Sequence, residues 1–278
     1  MVNQRFQRSY RRWFYPLISL VVALSIWVGQ PLASQAFSWA DLLLRGIQVV
    51  QLSSLNDRQE VALGQQINAE ITGSQVRLVR NSRITDYVNH VGQRLAAKSD
   101  RPNLRYTFQV VDADSINAFA TMGGFVYVHR GLLKAADNEA QLASVMGHEI
   151  GHIAARHAIK QMREKSIAQG LLGVAGLDRS TAVNIGVQLA LNLPNSRKDE
   201  YEADQRGLAT LGRAGYAQSQ MAAFMQKLVS GRSAPTFLSN HPAASDRVVR
   251  LRQLAQQNPT SGTDGQNSAD YRSRVQGA

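Results

Sequence analysis

Few segments restrict a chain as tightly as His148-Glu149-Ile150-Gly151-His152. On a helix, positions 148 and 152 lie about 40° apart in azimuth and one turn apart in height, so two imidazoles can converge on one zinc ion. Glu149 then points near the open side of the metal, where a carboxylate can take a proton from a water that the metal acidifies. The neighbouring residues agree with a helix. Asp137 or Asn138 can serve as N-cap, Leu142, Val145, Met146, Ile150 and Ile153 keep helical spacing, and the proline-free pattern continues towards Lys165. Gly147 and Gly151 flank the histidines at roughly 1 kcal/mol each relative to Ala, and what they offer is close approach of another backbone or of a substrate. An ordinary buried helix has little use for three adjacent titratable groups.

The first 36 residues read as an export leader rather than as part of the domain. Arg5, Arg8, Arg11 and Arg12 form a basic start without acids, Leu17 to Val28 is apolar but short for a membrane span, and Ser34-Gln35-Ala36 is a small-x-small cleavage site, placing the cut after Ala36. An uncleaved N-terminal membrane anchor is the alternative, and Arg11-Arg12-Trp13-Phe14 partly resembles a twin-arginine signal. The four arginines carry four of the +11 formal charges, leaving +7 on the remainder. Those basic residues are scattered rather than interleaved with aromatics, which argues against nucleic-acid binding and leaves a mild attraction to anionic membrane surfaces, peripheral or anchored. The chain has no Cys. Disulfides, thiolate ligands and a lipidated cysteine are therefore excluded, and stability must come from the core.

Residues 37–255 are expected to form one domain, followed at 256–278 by a tail whose Pro259, Thr260, Ser261, Gly262 and Gly265 predict polar disorder. Asn56 or Asp57 can cap a helix through Val61, Leu63, Ile67 and Ile71 to Gly73, and Ser82 can start another through Ile84, Val88, Val91 and Leu95. The period then changes to two. Leu104, Tyr106, Phe108 and Val110 alternate with Arg105, Thr107 and Gln109, which predicts a strand with one wet face. Phe125 to His129 predicts a second strand entered through Gly123-Gly124, with Asn117-Ala118-Phe119-Ala120 extended between them. The fold class is thus α+β, mainly helical, with a small β-sheet flanking the His-Glu-x-x-His helix. Between Ile167 and Leu193 lies a Gly- and Ala-rich stretch interrupted by Asp178 and Arg179, which excludes a membrane span. A mobile cover over the cleft and a helical hairpin packed for stability fit that stretch equally well.

A zinc site needs at least one more protein ligand and an open position. His157 sits five residues after His152, about 140° round a continuous helix, and so is expected to face elsewhere as a surface or packing residue. The segment Ser196 to Asp204 offers more. Glu200 and Asp204 are spaced i, i+4 on a predicted helix, so one can ligate zinc while the other accepts a hydrogen bond from a ligand imidazole. A solvated acidic helix face, with Glu202 paired to Arg206, is the plainer account. His90 and His129 have no evident partner and are expected to be structural.

His148-Glu149-x-x-His152 followed by Glu200-x-x-x-Asp204 resembles the HtpX-like family of gluzincin zinc metalloendopeptidases, which includes the CaaX prenyl proteases and the BepA- and LoiP-type envelope proteases. Asn117-Ala118-Phe119-Ala120, Gly124-x-Val126-Tyr127-Val128, Gly131-Leu132-Leu133 and Asn240-His241-Pro242-x-x-x-Asp246-Arg247 carry the likeness from roughly Asn56 to Leu251. The resemblance implies a zincin-type metalloprotease domain holding one Zn2+ per chain on His148, His152 and Glu200, with Glu149 as general base and acid and Asp204 behind the ligands. It also implies that Asn117, Ala118, Phe119, Gly124 and Val126 belong to a cleft edge where an extended peptide adds by backbone hydrogen bonds. For His241 three roles stand open: an inhibitory fourth ligand, an oxyanion donor, or a cap before Pro242. The function implied is hydrolysis of unfolded or misfolded proteins outside the cytoplasm, in the bacterial periplasm or from a membrane anchor facing it. A chaperone-like protein with a zinc site latent under His241 is the alternative.

Overall fold

The computed structural model describes residues 49–50, 52, 54–170, 177–192, 194–231 and 235–278. The leader expected at 1–36 lies outside them. In chain order the elements are β1 (Val49–Val50), α1 (Asp57–Glu70) running into a π-helical turn (Ile71–Gln75), α2 (Ser82–Ala96), β2 (Thr107–Val111), β3 (Ala118–Thr121), β4 (Phe125–His129), α3 (Arg130–Ala135), α4 (Glu139–Ala154) and α5 (His157–Ala168). After them come β5 (Leu177–Asp178), α6 (Arg179–Asn192), α7 (Arg197–Arg213), α8 (Ser219–Val229), α9 (Thr236–Asn240), α10 (Ala244–Gln257) and α11 (Ser268–Val275). The class is α+β, as the sequence predicts, and none of the described helices is long and apolar enough to cross a membrane.

Side-chain caps set several helix starts. Asn56 accepts from the Gln59 amide at 3.0 Å while the Gln59 side chain bonds the Asn56 amide, a capping box that opens α1. Asn81 caps α2 and Asn138 caps α4. The three-stranded sheet has the order β2-β4-β3, with β4 parallel to β2 and antiparallel to β3. Every residue of β4 from Phe125 to Val128 is buried because both faces of the strand are covered. Val126 and Val128 pack with α2 and α4, through Val91, Leu95 and Met146, whereas Phe125 and Tyr127 pack with Ile67 of α1, Ile71 of the π-helical turn, Met162 of α5 and Ile185 of α6. β2 keeps the expected wetter face, with Thr107 and Gln109 half-buried between buried neighbours, and Gln109 Nε2 donates to Asn68 Oδ1 at 2.6 Å on α1.

Three expectations need correction. The metal-motif helix does not run on towards Lys165. It ends at Ala154, Arg156 takes a left-handed conformation (φ 58°), and α5 starts afresh at His157. Such a backbone costs about 1–3 kcal/mol for a residue other than glycine. It is held by contacts of the Arg156 guanidinium with Glu60 Oε2 at 3.0 Å and with the Leu55 carbonyl at 2.5 Å. Second, the tail from Gln256 is not disordered. α10 continues to Gln257, residues 259–267 run back past Tyr216, and α11 docks with Tyr271 buried and its hydroxyl donating to the Leu133 carbonyl at 2.7 Å. Its polar composition hid one anchoring aromatic. Third, β4 is no edge strand. Both of its sides are bonded, so Gly124 and Val126 offer no free edge; the outer strands are β2, bridged at Val111 by Leu78, and β3, which has no second strand partner among the described residues.

The described part of the 167–193 stretch is packed rather than loose. Asp178 caps α6 through the Thr181 amide at 3.0 Å, which accounts for the polar interruption, and Ala182, Ile185 and Val187 are buried.

Candidate active site

The site is built where α4 and α7 cross, and glycine lets them cross closely. A Cβ on Gly151 would meet the Ala203 carbonyl oxygen at 2.6 Å, and one on Gly207 would meet Gly147 C and His148 Cα at 2.9 Å. The small residues flanking the motif thus admit another backbone, that of α7. Ser196 caps α7 by accepting from the Asp199 amide at 3.2 Å, which fixes the register of Glu200 and Asp204 against the two histidines.

Four donors converge there. His148 Nε2 and His152 Nε2 are 3.1 Å apart, and they lie 3.4 Å and 3.3 Å from Glu200 Oε2 and Oε1. His241, delivered by the short helix α9 and stacked on Phe237 with ring centroids 4.3 Å apart, places its Nδ1 3.2 Å from His148 Nε2 and 3.1 Å from Glu200 Oε1. One ligand atom from each of these residues lies within 4.8 Å of the others, and all four residues are buried. Nitrogens facing nitrogens and a carboxylate at such spacing suit a shared cation better than mutual hydrogen bonds.

The charge balance points the same way. Burial and the Arg247 charge oppose protonation of His148, yet Glu200 and Asp204 lift it to about 9, while burial holds the adjoining His152 down at about 3, so the carboxylates stabilise one positive charge in the cluster and not two. Burial resists ionisation of Glu200, but the facing His241 and His148 hold its carboxyl well below the ordinary range. Glu149 is buried with Oε1 lacking a hydrogen-bond partner, burial pushes its carboxyl up, and His241 Nε2 stands 3.5 Å from that oxygen. An orphaned carboxylate oxygen beside a cation site is what a proton-transferring group requires.

Behind the donors, His148 Nδ1 meets Asp204 Oδ1 at 2.9 Å. Asp204 is gripped by Arg247, whose Nε and Nη2 each donate at 2.7 Å. Arg247 is wholly buried, and it also reaches Glu200 Oε2 at 2.5 Å and the His241 carbonyl at 3.2 Å. Burial alone would raise Asp204, but Arg247 and His148 keep its carboxyl lowered. His157, expected at the surface or in packing, is buried with Nδ1 2.9 Å from His152 Nδ1. Arg247 and His157 are the site residues to which sequence reasoning gave no role. Only Arg247 left a usable signal, as a charge on the apolar face that α10 makes with Val248 and Leu251.

A cleft beside the cluster is lined by Glu149, His152, His157 and His241, by Phe119 and Ala120 of β3, and by Ile67, Leu189 and Ala190. Asn117 sits at the start of β3 with its side-chain oxygen buried and unbonded. Of the five residues expected at the substrate edge, Asn117, Ala118 and Phe119 lie on or beside β3, and Gly124 and Val126 do not. His90 takes no part in the cluster, and His129 bonds Ser115 Oγ at 2.7 Å at the end of β4.

A helical domain whose motif helix brings two histidines and a glutamate against a carboxylate from a second helix, with a small sheet at its flank, defines a zincin-type metallopeptidase. The comparisons make the class specific. The model of peptidase family M48 matches residues 82–255. The chain is 31% identical over 237 residues to a putative beta-barrel assembly-enhancing protease of Vibrio cholerae, covering 78% of this chain and 48% of that protein. It is 30% identical over 223 residues to the beta-barrel assembly-enhancing protease of Escherichia coli, covering 74% of this chain and 45% of the relative. With the metalloprotease LoiP of Escherichia coli it shares 30% identity over 227 residues, 76% of this chain and 86% of that protein. The chain belongs to peptidase family M48 and spans about half the length of the beta-barrel assembly-enhancing proteases it matches.

Proposed function

We propose that this chain is a zinc-dependent endopeptidase that cuts unfolded or misfolded proteins outside the cytoplasm, in envelope protein quality control. The supporting observation is the buried convergence of His148, His152 and Glu200 beside the unpartnered Oε1 of Glu149. In this reading the three residues hold one zinc ion, whose chemistry when bound is Lewis acidity: it polarises a scissile carbonyl and acidifies water. Glu149 takes the proton of the attacking water and returns it to the leaving amine nitrogen. Asp204, braced by Arg247, holds the His148 ring in orientation. The free edge of β3 receives the substrate as an extended strand, so main-chain bonds supply affinity with little demand on sequence. That suits unfolded chains.

The export leader, cut after Ala36 or kept as an anchor, supports action in the periplasm or at its membrane face. The names of the relatives, an assembly-enhancing protease and a metalloprotease, support an envelope role. The test is zinc content together with casein cleavage by the exported chain. Glu149→Gln should retain zinc and lose cleavage by at least about 100-fold. Cleavage at the wild-type rate by that variant would sink the reading.

A second reading is favoured by one contact set. His241 presents Nδ1 to the donor cluster and Nε2 to Glu149, filling the space between them. On this reading the site rests in a latent form with His241 as fourth ligand, and the chain handles unfolded proteins without cutting them until His241 withdraws. His241→Ala then raises casein cleavage, whereas an oxyanion-donor role has the same substitution lower it.

A further inference from the structure

The two motif histidines are braced in different ways. Behind His148 stands a carboxylate, Asp204, at 2.9 Å. Behind His152 stands another imidazole: its Nδ1 faces Nδ1 of His157 at 2.9 Å. A nitrogen pair at this distance holds one proton between them, with one N–H donating and the other nitrogen accepting. The direction is fixed by the far side of the ring. His152 Nε2 faces the donor cluster, 3.1 Å from His148 Nε2 and 3.3 Å from Glu200 Oε1, so its lone pair is directed there and its proton sits on Nδ1. His157 must then accept on Nδ1 and carry its own proton on Nε2. That nitrogen points at carboxylates, 3.3 Å from Glu202 Oε2 and 3.6 Å from Asp199 Oδ1. Asp199 is engaged by Lys160 Nζ at 2.5 Å, which leaves Glu202 as the nearer acceptor.

We propose that His157 is a positioning residue for the metal site: it fixes the tautomer and ring orientation of His152 through a neutral imidazole contact backed by Glu202, an inference that rests on the zinc-site reading above. The chain's own geometry supports it. On an unbroken helix His157 would lie about 140° away from His152 and could not reach it. The left-handed Arg156, held by Glu60 and the Leu55 carbonyl, turns the chain so that α5 starts with His157 buried against the ligand. Backbone strain retained by surrounding contacts is characteristic of sites where geometry serves function.

The experiment compares the exported chain with His157→Asn and His157→Phe. Asparagine places an amide oxygen near the Nδ1 position and keeps an acceptor, while phenylalanine keeps the ring and its packing and loses the acceptor. Zinc affinity is read by competition with a chromophoric chelator, and ligand geometry by the visible absorption of the cobalt-substituted protein. The asparagine chain should bind zinc within about threefold of wild type and keep its cobalt spectrum. The phenylalanine chain should bind about 10–100-fold more weakly with an altered spectrum, the scale on which orienting partners act. This order is the reverse of what packing alone gives. If the phenylalanine chain does not fold, His157→Ala replaces it, since alanine and asparagine leave a comparable space and differ in the acceptor. Wild-type affinity and spectrum in the phenylalanine or alanine chain overturn the positioning role. Absence of zinc binding by the wild-type chain itself overturns the zinc-site reading and the inference with it.

Discussion

Among the described histidines outside the donor cluster, His129 is the one whose burial has a simple thermodynamic consequence. Its Nδ1 bonds Ser115 Oγ at 2.7 Å, its Nε2 is buried without a partner, and burial pushes it down from 6.5 to about 4. Between these values the unfolded chain binds more protons than the folded one, so stability falls as pH drops from 6.5 through about 4 and is unaffected above 6.5. The shift corresponds to about 3 kcal/mol. Urea unfolding at stepped pH should show that loss in the wild type, and a His129→Gln chain, which keeps a hydrogen-bonding group at Ser115 without titrating, should show a smaller one, the remainder coming from His152 and His157, which burial also lowers. An equal slope in both would place the acid sensitivity elsewhere. His148, Glu149 and His152 were legible in the sequence because their chemistry depends on spacing within one helix. His157 was not, because its position depends on one φ angle at Arg156, and no residue type announces a left-handed arginine. Arg247 lies 43 residues from Asp204, a partnership that only tertiary packing creates.

Elements were more legible than contacts between them. The starts of α1 and α4 could be read because a cap is a local device, with Asn56 and Asn138 each bonding an amide three residues on. Edge and centre in the sheet could not be read: β3 and β4 are both short and apolar, and order β2-β4-β3 depends on a parallel pairing between β2 and β4 that no local signal encodes. The crossing of α4 and α7 lies between these cases, for the glycines were visible and their partner was not. Gly207 shows how much rests on it. Its missing Cβ would sit 2.9 Å from His148 N and Cα, both backbone atoms that cannot rotate away. Gly207→Ala should therefore force the helices apart, with a stability loss of about 1–3 kcal/mol by chemical denaturation. Because Glu200 and Asp204 travel with α7, zinc affinity should fall as well. A variant that loses stability yet binds zinc as the wild type does would show that α7 can shift along its length without moving its ligand end.

At the scale of the whole molecule, two hydrophobic cores cover the two faces of the sheet, and the C-terminal segment adds Tyr271 to one of them. Residues 259–267 lay the Gly265 carbonyl on the Ala140 amide at 2.9 Å, supplying an acceptor to the first turn of α4, where a helix has no internal partner. The same turn holds Glu139, which accepts from the hydroxyls of Tyr87 at 2.7 Å and Tyr216 at 2.8 Å. Tyr271 packs beside Tyr87, with ring centroids 6.3 Å apart, and its hydroxyl bonds Leu133. The tail thus clamps the N-terminal end of the helix whose other end carries the donors. Polar composition concealed this, since one buried tyrosine and one backbone carbonyl outweigh a dozen exposed polar residues. Tyr271→Ala should cost about 3–5 kcal/mol in global stability, the range for removing a large buried aromatic. Tyr271 touches none of the donor residues, so zinc affinity at a temperature where the variant remains folded should equal that of the wild type. A parallel fall in zinc affinity would mean that the clamp sets the tilt of α4 as well as its stability, extending the metal site's supporting shell to α11.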